Sequence, residues 1–158
     1  MTILDIPKQT RGLLLLEFEK MKQDLISKHI ELGMKASGKW IDSLEVVEEN
    51  LRVSLLGEKY TDQLVYGRRA GTMPPVSAIE QWIKDKGITP NIPIRSLAWA
   101  IAINIKKKGT KYYQQGGTDL VSSVITVDRI NKIINLIGEE LTLLVIPIFT
   151  NQYKWQKQ

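Results

Sequence analysis

A chain of 158 residues, 43% apolar and 25% charged, is long enough to bury a core of its own and has the make-up of a soluble globular protein. The absence of cysteine excludes disulfides, thiolate metal sites and thiol catalysis. The net charge of +5 fits either an anionic partner or a solvated basic surface, and the aliphatic run Leu13–Leu16 falls far short of the roughly 20 residues of a membrane span.

Residues Met1–Arg11 carry charges and a proline and lack the apolar centre of a secretory signal, so synthesis in the cytoplasm is expected. From Gly12 to Met34, Leu14, Phe18, Met21, Leu25 and Leu32 recur at three- and four-residue steps with one seven-residue gap, and Ile26 and Ile30 widen the stripe. Charged residues from Glu17 to Asp24 fill the other side, which predicts a long amphipathic helix stopped at Gly38. Ser43–Val47 and Leu51–Leu56 read as the strands of a hairpin turning at Glu48-Glu49-Asn50. Lys59–Tyr66 reads as a third extended stretch, and Gly67–Pro75 as a loop by composition.

Pro74 and Pro75 then open a helix over Val76–Lys86, where a proline lacks no hydrogen bond that the first turn would make. Its stripe is Ile79, Trp82 and Ile83, and Trp82 and Ile83 are expected to anchor it to the sheet. Pro90 and Pro93 stiffen a connector, Ser96 is a candidate cap, and Leu97–Lys108 forms a helix apolar nearly all round up to Ile105. That apolarity predicts burial on several sides. Lys111–Thr118 reads as a mobile loop, and a last helix runs over Val127–Val145, or from as far back as Asp119, until Pro147 breaks it. The expected fold is α+β: a small antiparallel sheet packed by a long N-terminal helix and further helices, in one domain of residues 1–147. Residues 148–158, with Phe149, Tyr153 and Trp155, are expected to form an extended arm docked on a neighbouring subunit or folded back on its own.

Charge is distributed unevenly. Residues 1–50 hold seven Lys/Arg against nine Asp/Glu, residues 51–118 hold eleven against four, and residues 119–158 hold four of each. The positive excess therefore lies wholly in the middle segment.

Catalysis needs groups that titrate or coordinate near neutral pH, and these are sparse. The lone histidine, His29, shares a helix face with Leu25 and Leu32 and is expected in a core or subunit contact. Glu48-Glu49 and Glu139-Glu140 read as solvated charge. The Gly67–Pro75 loop lacks the Gly-Lys-Ser/Thr ending of a phosphate-cradling loop, and Gly116-Gly117 lacks a dinucleotide-fold context. No catalytic, metal or cofactor residue is assigned, and a non-enzyme is expected. No helix-turn-helix or zinc-finger pattern is present, but clustered Lys/Arg suffice for contact with phosphates.

One cadence in the chain is more specific. Tyr66-Gly67-Arg68-Arg69-Ala70-Gly71-Thr72-Met73-Pro74-Pro75 runs into Val76-Ser77-Ala78-Ile79-Glu80-Gln81-Trp82-Ile83-Lys84-Asp85-Lys86-Gly87. Ser96-Leu97-Ala98-Trp99-Ala100-Ile101-Ala102 follows, and Lys108-Gly109-Thr110 closes the next helix. With Ala36-Ser37-Gly38-Lys39 and Ser43-Leu44 upstream, this resembles the neck, head–tail connector and tail-completion proteins of tailed bacteriophages, over residues 30–112.

The resemblance implies an α+β subunit of a closed homo-oligomeric ring in the virion neck, assembled in the host cytoplasm. A portal or adaptor protein would lie above it, and a tail tube, tail hub or terminator protein below. It implies no catalytic residues. Arg68, Gly71, Pro74, Pro75 and Trp82 match the motif. Arg68 and Arg69 are expected at a loop tip, in assembly or facing genomic DNA, unless they are simply solvated. The alternative is a basic nucleic-acid-binding protein.

Overall fold

The computed structural model describes residues 8–49 and 52–154, with side chains over residues 10–49 and 52–143. The first element, α1 (Lys8–Glu31), carries Met21, Leu25 and His29 at four-residue spacing on its buried face. It ends before Gly38. Gly33 takes φ +64°, its N–H donates to Ile30 O, and the N–H of Met34 donates to His29 O at 3.1 Å. This is a glycine-terminated C-cap, and the buried Met34 supplies the apolar contact that goes with it. Gly38 instead leads into the short α2 (Lys39–Asp42), whose Trp40 is buried.

The hairpin pairs β1 (Glu45–Glu49) with β2 (Arg52–Leu56) in antiparallel register from Glu45↔Leu56 to Glu49↔Arg52. Glu48 and Glu49 are thus strand residues rather than turn residues, and Asn50 lies outside the described residues. Ser43 is not yet in the strand. Its hydroxyl donates to Trp40 O and accepts the N–H of Glu58, tying it to the end of α2.

Lys59–Tyr66 is not extended but contains α3 (Thr61–Val65). The Thr61 hydroxyl donates to Glu58 O at 2.6 Å and accepts the indole N–H of Trp40 at 2.9 Å, which closes a turn where alternation was weak. Leu64 and Val65, adjacent in sequence, both pack on the core, which a helical turn permits and a strand does not.

After the Gly67–Pro75 loop come α4 (Val76–Asp85) and α5 (Ile94–Lys108). Helix α5 begins just after Pro93, earlier than expected, so Ser96 lies in its first turn and does not cap it. The N–H of Gly71, ahead of α4, donates to Lys106 O near the end of α5. The two helices pack on each other, with Ile83, Ala98 and Ala102 all 0% exposed. The small alanines let the backbones approach. This corrects the expected docking of Val76–Lys86 on the sheet: Ile83 is an anchor, but onto α5, and Trp82 is 40% exposed. Nor is α5 buried on several sides, since Trp99 is 57% exposed.

Residues 111–118 contain α6 (Lys111–Gln114), capped by the Thr110 hydroxyl, in place of the expected mobile loop. The last helix, α7 (Val127–Lys154), continues through Pro147. A proline there loses one helical hydrogen bond and crowds the preceding turn, but its fixed φ is itself helical, so the chain is not forced out of the helix. Phe149 and Tyr153 accordingly lie on helical backbone rather than on an extended arm, and Trp155 lies outside the described residues.

The core gathers Leu25, Met34, Trp40, Leu120 and Val124, with Leu44, Leu55, Leu64, Val65 and Tyr112 packed around them. It therefore joins α1, α2, the hairpin, α3 and the turns ahead of α7. Arg129–Asp24 at 2.6 Å, Lys28–Asp119 at 3.0 Å and Arg11–Glu48 at 3.6 Å tie α1 to α7, the core turns and the sheet. The fold is α+β, as expected.

Candidate functional site

The loop after α3 does not project as a free tip. It is latched to the junction of α5 and α6. The N–H of Arg68 donates to the Thr110 hydroxyl at 2.9 Å, and the N–H of Thr110 donates back to Arg68 O at 2.8 Å. Gly71 adds its bond to Lys106 O at 2.8 Å, and on the other side the N–H of Thr118 donates to Val65 O at 2.7 Å. The pieces of the sequence cadence, Gly67-Arg68 and Gly109-Thr110, are thus pressed together in space. Glycine is required at the contact. Gly67 has φ +72°, and a Cβ there would collide with the backbone N of Tyr113; a Cβ on Gly109 would come within 2.7 Å of Arg68 O.

The latch concentrates positive charge. Arg68 and Arg69 come from one side, Lys106, Lys107 and Lys108 from the last turn of α5, and Lys111 from the first turn of α6. Among the described residues, none of these six cations has a carboxylate within ion-pair distance. The ion pairs lie along and around α1 instead. Arg69 and all four lysines are exposed, and Arg68 is half-buried with its guanidinium 3.5 Å from Thr72 O. Arg69 also lines a shallow depression with Gly67, Gly116 and the exposed rings of Tyr66 and Tyr113.

Of the other expected contact residues, Gly71 is exposed with φ +120°, Pro74 is buried, and Pro75 stands exposed at the entry to α4. Gly71, Pro74 and Pro75 therefore shape the path from latch to helix. The side chains of Phe149, Tyr153 and Trp155 lie outside the described ones.

A second feature was legible in the sequence only as an apolar excess on Leu97–Lys108, without the residues that carry it. Trp82 of α4 and Trp99 of α5 are exposed, as are Ile88 and Ile92 of the connector between the two helices. The signal was a helix apolar nearly all round, which leaves apolar surface uncovered where it packs mainly on one other helix. On α7, Ile130, Ile134 and Leu141 are likewise exposed while Ile133 and Ile137 are half-buried.

His29 is buried and stacked on Trp40, ring centroids 4.5 Å apart, and its Nδ1 has no hydrogen-bond partner. Burial holds it below its ordinary pKa of 6.5, and the Lys86 ammonium adds to the effect. It is a core histidine. Among the described residues, no helix is long and apolar enough to cross a membrane. No family model, no curated protein and no solved structure matches the chain.

Proposed function

We propose that this protein is a structural subunit of a tailed-phage neck that assembles as a closed ring, joining the portal or connector above to the tail below. It carries out no chemistry and needs no cofactor. The observation that carries the reading is the exposure of Trp82 and Trp99 on two helices packed on each other. Tryptophan is the residue most enriched at binding hot spots, and apolar patches on soluble subunits mark contacts with partners. The resemblance of residues 30–112 to connector and tail-completion proteins supplies the kind of partner: further copies of the chain, then the portal or adaptor and the tail tube, hub or terminator protein. A ring follows when one face of a subunit meets a different face of the next and the rotation closes.

Native mass spectrometry and negative-stain microscopy of the protein, alone and with purified portal, test the reading. Cyclic particles, or addition of several copies to the portal, are expected. A protein that stays monomeric at high concentration and also ignores the portal sinks it.

A second reading, a basic nucleic-acid-binding protein, is favoured by the cations of the latch, which have no ion pair among the described residues. A monomer that binds duplex DNA with steep salt dependence and has no affinity for the portal would select it.

A further inference from the structure

Six cations sit where two stretches of chain are pinned together, with no acid among the described residues to neutralise them. Like charges gathered at one junction raise the local positive potential, which an anionic ligand lying against it relieves. The acids Asp24, Asp119 and Glu48 are engaged elsewhere, on Arg129, Lys28 and Arg11. The patch is also fixed in shape. The backbone bonds of Arg68, Gly71 and Thr110 hold Arg69, the end of α5 and Lys111 in one arrangement, so a ligand need not order the loop. Tyr66 and Tyr113 stand exposed beside Arg69, each with a hydroxyl able to donate to an anionic oxygen.

We propose that this latch face, built from Arg68, Arg69, Lys106–Lys108 and Lys111, is a sequence-independent binding site for the phosphate backbone of duplex DNA. A surface of cations and hydroxyls gains most from the polyanion of highest charge density, and a duplex carries one charge per about 1.7 Å. The ligand gives up condensed counterions, and the protein loses its internal repulsion. The site belongs to the single subunit and does not depend on ring formation or on the neck reading.

The test is fluorescence anisotropy with a labelled duplex of mixed sequence, over a range of salt concentrations. About four phosphate contacts predict a fall in affinity of about 150-fold between 50 and 200 mM salt. The triple variant Arg69→Ala, Lys107→Ala, Lys111→Ala, all exposed positions, should leave a shallow salt response, its log–log slope reduced by about 2.7 to about 0.9. A control variant, Lys20→Ala, Lys35→Ala, Lys39→Ala, should retain most of the wild-type response. Because repulsion is relieved, duplex should also raise the melting temperature of the wild type and not that of the latch variant. The proposal is overturned by any of three outcomes: no binding at 50 mM salt, equal loss in both variants, or displacement by polyglutamate at matched charge, which would make the partner an acidic protein. Tighter binding to a single strand than to the duplex would overturn the duplex assignment.

Discussion

Arg68 and Thr110, 42 residues apart in the chain, exchange hydrogen bonds in both directions: the threonine hydroxyl accepts from Arg68 N–H while Thr110 N–H donates to Arg68 O. The same hydroxyl also accepts from Tyr113 N at 3.4 Å and so caps α6. One side chain therefore serves as cap and as tertiary clasp. Thr110→Val keeps the shape and removes both roles. It should destabilise by about 1–3 kcal/mol, the sum of a lost cap and an unpaired backbone N–H, while Thr110→Ser should stay near wild type. Denaturant unfolding of the three proteins checks this, and equal stability of Val and Thr would show the clasp to be redundant.

The glycines of the loop should separate into two classes. Gly67→Ala meets the backbone of Tyr113 as well as an unfavourable φ, and should cost about 3 kcal/mol or more. Gly71→Ala has open space around it and suffers only the φ of +120°, about 1–3 kcal/mol. Thermal melts of the pair should rank Gly67→Ala clearly lower. The reverse order would mean that the loop does not sit against α6.

On the α4–α5 pair, burial and function should part company. Ile83→Ala should cost about 2–5 kcal/mol, as for a buried aliphatic residue. Trp82→Ala and Trp99→Ala remove partly exposed rings and should each cost less than Ile83→Ala, about 2 kcal/mol or less. Under the neck reading both should weaken association measured by sedimentation. Full association with both tryptophans removed would move the interface elsewhere, the exposed stripe of α7 being the next place to test.

His29 gives a pH dependence with a definite sign. Its folded-state pKa lies below the ordinary 6.5, so the unfolded chain takes up the proton first as pH falls. Stability contributed by neutral His29 is complete above about pH 6.5 and declines below it, until the folded-state pKa is reached. His29→Phe preserves an aromatic stack on Trp40 and abolishes the titration. The melting temperature of the wild type should drop faster than that of the variant between about pH 7 and 5. Parallel curves would show that the imidazole is solvated in the folded protein.

The sequence by itself determined the elements with strong periodicity and clear punctuation. The stripe Met21-Leu25 of α1, the alternating Val53 and Leu55 of β2, and the proline-to-glycine span of α4 are read directly, because each residue's local preference agrees with its final place. Short or weakly patterned segments were decided by tertiary contacts. Helix α3 forms around the Thr61 bond to Trp40, a partner 21 residues away, and α6 forms on a threonine already clasped to Arg68. The charge excess of residues 51–118 was plain in the sequence, but not that the Arg68–Thr110 bonds would bring Arg68 and Arg69 to the end of α5 and the start of α6, where four of its lysines lie. Nor could the sequence assign burial along α4 and α5. Trp82 and Ile83 are neighbours of similar hydrophobicity, and only the direction from which α5 approaches places one in the core and leaves the other in solvent. A helix pattern fixes which residues can face a partner, whereas the packing geometry alone fixes how many of them do.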